Sequence, residues 1–117
     1  MIVGRPGVVR DGYQALFGAL SWARVLEPAN DGPSALKRLP DEEPDIVILD
    51  AHTTDQATDI LSAIRCAGLQ SRCLVICPDV ERAHVVIAAG ADSAVVEGIP
   101  AMELAARARS LAVKEER

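Results

Sequence analysis

Aromatic residues are nearly missing from this chain of 117 residues: they make up 3%, as one Tyr, one Phe and one Trp. Tyr13, Phe17 and Trp22 all fall near the start, so the core has to be built from Val, Ile, Leu and Ala. Cysteine is scarce and odd in number. Cys66, Cys73 and Cys77 show neither a CxxC nor a zinc spacing; they read as reduced thiols in or beside buried elements of a cytoplasmic protein. His52 and His84 have no third ligand at a matching spacing, so a metal site is not expected, and His84 reads as helix surface. No apolar stretch reaches the ~18 residues of a membrane span, and no signal peptide is visible. Positive charge is in deficit: a net charge of −5 argues against this segment itself gripping a phosphate backbone. Gly4-Arg5-Pro6-Gly7 fits neither a P-loop nor a GxGxxG pattern.

What is present is globular. Hydrophobic residues at 50% against 25% charged are enough for one domain with one core across residues 1–117. The most informative segment is Pro44-Asp45-Ile46-Val47-Ile48-Leu49-Asp50, an apolar run rich in β-branched residues that ends in a carboxylate. It reads as a central strand buried on both faces. Open parallel sheets carry ligands and chemistry outside the carboxyl ends of their strands, which is where Asp50 stands. The alternative is an Asp that only starts a turn.

Strands and helices alternate along the whole chain. Ile2-Val3 ends a first strand. Val8 to Leu20 places Val9, Leu16, Phe17 and Leu20 opposite Arg10, Asp11 and Gln14, the pattern of an amphipathic helix. Arg24 to Leu26 is a short strand candidate. Asn30 to Ser34 is turn and helix-start chemistry, with Pro33 suited to a first turn; the helix from Ser34 to Leu39 is expected to stop before Pro40. After the Ile46–Leu49 strand, Thr54 to Ala67 is helical, with Gly68 as its stop. Cys73 to Cys77 is another buried strand. Asp79 can cap a helix from Val80 to Ala89 that ends at Gly90, Ala94 to Val96 is a last strand, and a final helix follows Ile99-Pro100. Five βα units of this kind predict a doubly wound, five-stranded parallel sheet in the order 2-1-3-4-5. That order gathers Gly4, Arg5, Asp50, Cys77 and Glu97 at one end of the sheet.

Four segments in correct order resemble the CheY-like receiver domain of bacterial two-component response regulators, in the transcription-factor branch typified by NarL and FixJ. They are Val9-Arg10-Asp11-Gly12-Tyr13-Gln14-Ala15-Leu16, Ala29-Asn30-Asp31-Gly32-Pro33-Ser34-Ala35-Leu36, Pro44 to Asp50, and Ala89-Gly90-Ala91-Asp92. The resemblance implies a flavodoxin-like (βα)5 fold with Asp50 as the phosphoacceptor equivalent. It also implies an acidic pair that holds Mg2+, a Ser or Thr after the fourth strand, a Lys after the fifth and an aromatic switch residue. Here the acidic pair maps onto Gly4 and Arg5, the hydroxyl onto Cys77, the lysine onto Glu97 and the aromatic onto Ala94. Mg2+ takes near-octahedral oxygen ligands, commonly including carboxylates, and a cation in their place repels it. Phosphoryl transfer rests on positioning and charge neutralisation, so Mg2+ binding is expected to be weak or absent and Asp50 is not expected to be phosphorylated in the ordinary way. Arg5 has two readings: a guanidinium bridging Asp50 and Glu97 in place of metal and lysine, or a side chain pointing into solvent.

The resulting expectation is a non-enzymatic signalling module, an atypical receiver acting through dimerisation or through partner or ligand binding. Its partners are a second copy, a sensor kinase or another regulatory protein, with DNA reached only through an attached C-terminal output domain beyond this chain. Val85, Val86, Ala94 and Met102 are the interface candidates, because the run Val85 to Ala89 is more apolar than one buried stripe requires; the alternative is a wholly buried helix. Two other readings stay open: a receiver still phosphorylated at Asp50, and a flavodoxin-like domain binding a small molecule or cofactor. Asp50-Ala51-His52 resembles the Asp-x-His-x-x-Gly motif of cobalamin-binding domains, but Asp55 stands where the Gly is required. Nucleophilic catalysis by Cys77 needs a base such as His within reach, and the sequence alone places none there.

Overall fold

The computed structural model describes residues 1–51 and 57–112. The strands are β1 (Ile2–Val3), β2 (Ile46–Asp50), β3 (Arg72–Cys77) and β4 (Ser93–Val96), and the helices are α1 (Val8–Gly18), α2 (Gly32–Glu42), α3 (Ala57–Cys66), α4 (Val80–Ala88) and α5 (Ala101–Ala112). All strand pairs are parallel, in the order β1-β2-β3-β4. The pleat sends Val47, Leu49, Cys73, Val75 and Cys77 into one apolar layer with Leu39, Leu61, Ile64 and Val86. It sends Ile48, Leu74, Ile76 and Val95 into the opposite layer with Phe17, Leu104 and Ala108. The sheet is therefore covered by α2, α3 and α4 on one side and by α1 and α5 on the other. Among the described residues Phe17 is the one aromatic in its buried core, which is otherwise aliphatic with Met1, Cys73 and Cys77.

Among the described residues the sheet has four strands, not the five expected from the sequence; they follow the expected sequence 1-3-4-5, and the full order 2-1-3-4-5 is not confirmed because the second strand does not form. Arg24 to Leu26 makes no strand; in its neighbourhood only Ala29 bridges to Val3. Ala29 donates to the Ile2 carbonyl at 2.9 Å and accepts from the Gly4 N–H at 3.0 Å. The pairing goes no further back: the next carbonyl facing β1, that of Glu27, accepts from the Arg38 guanidinium at 2.6 Å, and the same guanidinium takes the Pro28 carbonyl at 3.0 Å. The same guanidinium holds Glu42 in a bidentate pair at 2.7 and 2.9 Å. A side chain on α2 thus takes the carbonyls that an edge strand would have used.

Helix ends follow local chemistry. Asp31 caps α2, accepting from the Ser34 N–H at 2.8 Å, and Asp79 caps α4, accepting from the Arg82 N–H at 2.7 Å. Contrary to expectation, α2 runs through Pro40 to Glu42. Proline removes one N–H and crowds the carbonyl four residues back, which costs little in a final turn closed by a left-handed Glu43 donating to the Leu39 carbonyl at 2.9 Å. Gly68 (φ 73°) ends α3 in a Schellman arrangement: its N–H bonds the Arg65 carbonyl, and the Leu69 N–H bonds the Ile64 carbonyl. Gly32 serves packing instead. A Cβ there would stand 2.1 Å from Ile60 Cδ1, so its absence lets α2 and α3 approach. The first helix is shorter than expected, ending at Gly18. Residues 54–56, the expected start of the third helix, lie outside the described residues.

Candidate functional site

The carboxyl ends of the strands gather the residues the sequence singled out. The register pairs Val3 with Leu49, Asp50 with Ile76, and Cys77 with Val96. Gly4 therefore follows β1 beside Asp50, and Glu97 comes one residue after the end of β4, its N–H bonded to the Cys77 carbonyl at 2.8 Å. Asp50 is one of only two buried polar or charged residues among those described, at 4% exposure. Burying a carboxylate is costly unless it is paired or hydrogen-bonded. Gly4 is buried, whereas Arg5 and Glu97 are exposed at the rim. None of Arg5, Asp50 and Glu97 is without a partner. His52, the remaining candidate, lies outside the described residues.

Strand alternation separates the other candidates. Asp50 follows Ile46 and Ile48 on the α1/α5 side, whereas Cys77 and Ala94 belong to the opposite layer, against α3 and α4. Cys77 is fully buried, and burial pushes its thiol up, with Asp79 adding to the effect and Arg82 opposing it. A raised thiol is a poor nucleophile, so packing is the use the fold makes of Cys77. Cys73 behaves likewise: burial, opposed by Arg65 and helped by Asp92, raises it to about 11. Cys66 departs from expectation, since it is exposed at the end of α3; it is the cysteine a thiol reagent should reach at pH 8.

The raised Cys73 thiol predicts an alkaline loss of stability. A group whose folded pKa lies above its unfolded value near 9 stabilises fully below that value, and the benefit fades as pH rises through 11. A rise from 9 to about 11 corresponds to roughly 2–3 kcal/mol once both states are ionised. Urea unfolding at pH 8 and pH 11 should show the parent losing roughly 2 kcal/mol more than Cys73→Ala, most of the full effect.

Two residues of this region were not singled out from the sequence. Tyr13 on α1 is half-buried against the α1/α5 layer. Its phenol is held above its usual pKa by burial first and then by the negative charges of Asp50 and Glu97, so it lies within electrostatic reach of both carboxylates. Tyr13 is on the opposite side of the sheet from Ala94 and does not replace an aromatic there. Arg10, read as polar helix surface, instead fastens the loop: one of its Nη atoms donates to the Gly4 carbonyl at 3.2 Å and to Asn30 Oδ1 at 2.7 Å.

The donor set does not fit the metal that the resemblance implies. Gly4 brings no side-chain oxygen and Arg5 brings a cation where divalent binding needs carboxylates. Among the described residues no group of three His, Cys, Asp or Glu side chains is placed to hold a metal. Also among the described residues, no helix is long and apolar enough to cross a membrane.

The interface candidates divide. Met102 is 73% exposed and Val85 51%, but Val86 is buried at 4% and Ala94 is half-buried. At about 100° per residue, consecutive apolar residues wrap around α4 instead of forming one patch. Val85 and Ile87 fall on opposite flanks of the buried Val86, while Val80 and Ile87, seven apart and both exposed, share a stripe. Val86 is therefore a core residue, removed from the interface set.

This architecture is the receiver-domain fold of response regulators. The chain is similar to the signal receiver domain of the response regulator NarL from Mycobacterium tuberculosis, at 20% identity and TM-score 0.85, covering 97% of this chain and 95% of that one. It is similar to a LuxR-family two-component response regulator from Aurantimonas sp. SI85-9A1 at 23% identity and TM-score 0.87, covering 96% and 82%. A DNA-binding response regulator of the LuxR family from Staphylococcus aureus aligns at 17% identity and TM-score 0.76, covering 95% and 96%. No protein-family model and no curated protein matches the chain.

Proposed function

We propose that this chain is the receiver module of a two-component response regulator whose output does not run through Mg2+-dependent phosphorylation of Asp50. The observation that carries the reading is the buried Asp50 at the end of β2, next to Gly4 and Arg5 in place of two carboxylates. In this reading Arg5 supplies the positive charge that metal and lysine supply in the family, bridging Asp50 and Glu97 by charge-assisted hydrogen bonds. The pocket is then locked in one charge state, and signalling passes to contacts between proteins. A sensor kinase or another regulatory protein is a binding partner, and DNA is reached through an attached output domain, consistent with a DNA-binding response regulator among the similar structures.

Dimerisation is the mode of output in this account, through the exposed apolar side chains Val80 and Ile87 of α4 and Met102 of α5. Sedimentation at high micromolar concentration is expected to give a dimer for the parent. Replacing Val80 and Ile87 together with Ser should move the weight-average mass towards the monomer. A parent that stays monomeric contradicts this part of the reading.

A further inference from the structure

A second candidate site lies at the opposite end of the sheet from Asp50. A partly open cavity of about 310 Å3 is bounded by the start of the strands, α1, α5 and residues 22–26. Its size is near the lower end of the range for small-molecule pockets. It exists because residues 22–26 do not pair as an edge strand and because α5 presents only Ala108 and Ala112 to it. Ile2, Ile46 and Ile48 contribute apolar surface, and two of the chain's three aromatics, Phe17 and Trp22, line it as well.

We propose that this cavity binds a small organic cation with a flat apolar body, such as an arylalkylamine, with its charge directed at Glu43 and Asp45. Both carboxylates line the cavity and are exposed. Glu42 is occupied by Arg38. Among the lining side chains Arg24 is the cation that competes for Glu43 and Asp45, so the side chains of the lining are net acidic. Arg109 lies 5.9 Å from the Trp22 ring centroid, so that ring supplies apolar area while the carboxylates take the charge.

Trp22 is the only tryptophan, so its indole N–H gives a single reporter cross-peak in 15N-labelled protein. Phenethylamine, 2-phenylethanol and phenylacetate form a cation, neutral and anion series on one apolar body. At pH 7.5 phenethylamine should shift the Trp22 indole and Ile46 amide signals saturably and bind at least about fivefold tighter than phenylacetate, with the alcohol between. In a folded Glu43→Gln/Asp45→Asn variant the amine should weaken by about twofold to fivefold while the alcohol is unchanged. A saturable shift in that order, lost in that way, supports the assignment. Absence of saturation at Trp22, any other order of affinity, or an amine affinity indifferent to the double substitution overturns it. None of these outcomes involves Asp50, so the proposal fails or stands apart from the receiver reading.

Discussion

Arg5→Asp should raise the affinity of the Asp50 site for Mg2+ by at least about tenfold, a change of about 1.4 kcal/mol, as read by isothermal titration. The substitution turns a cation into a carboxylate beside a divalent ion. Each unit-charge pair at ~4 Å contributes about 4 kcal/mol at an effective dielectric of 20, and twice that for a divalent partner. Arg5 is exposed, so solvent screening removes much of this, and one decade is the conservative remainder. Adding Gly4→Asp should raise the affinity further, because it restores a second oxygen donor of the kind Mg2+ takes. An Arg5→Asp variant that binds Mg2+ no better than the parent would show that Arg5 is not what bars the ion.

The second large effect is structural. Asp92, in the loop before β4, accepts from Arg65 Nη2 at 2.5 Å and from the Cys73 N–H at 2.7 Å. Arg65 also donates to the Ser71 carbonyl at 3.1 Å and to the Gly90 carbonyl at 3.2 Å. One carboxylate therefore ties α3, the start of β3 and the turn after α4 together. Asp92→Ala should cost about 2 kcal/mol: hydrogen bonds to charged groups contribute roughly 1.5–3 kcal/mol, and the pair is 24–35% exposed, which discounts it. For a domain of this size the loss should lower Tm by about 8 °C. Arg65→Lys, which keeps the charge but not the forked donor, should recover only part of the contact energy.

Much of this architecture was legible in the residues because the signals are local. The Ile46–Asp50 strand is set by an unbroken apolar run, the start of α4 by Asp79, and the end of α3 by Gly68, each acting within one helical turn or one strand. Part of what was not legible depends on partners farther along the chain, and part on how a helix closes and turns. The strand expected at Arg24–Leu26 fails because Arg38, ten or more residues on, takes the carbonyls of Glu27 and Pro28. Pro40 stays inside α2 because Glu43 closes the helix just beyond it. Val86 looked like interface because five apolar residues run together, yet rotation about the helix axis gives it alone among Val85, Val86 and Ile87 to the core.

The site was legible in part. Gly4, Arg5, Asp50, Cys77 and Glu97 do fall at the carboxyl end of the sheet, as the order of segments required. Which side of the sheet each occupies depends on register, and that put Cys77 and Ala94 in the layer opposite Ile46 and Ile48. Tyr13 was hidden for a different reason. Its place in an amphipathic helix marks it as core, and only the tertiary approach of α1 to the sheet brings its phenol under the charges of Asp50 and Glu97.

The most direct test of the account is incubation of the chain with acetyl phosphate and Mg2+, followed by intact-mass measurement. The parent is expected to gain no phosphoryl group, with or without the metal. A Mg2+-dependent, stoichiometric gain of one phosphoryl group, abolished by Asp50→Asn, would contradict it.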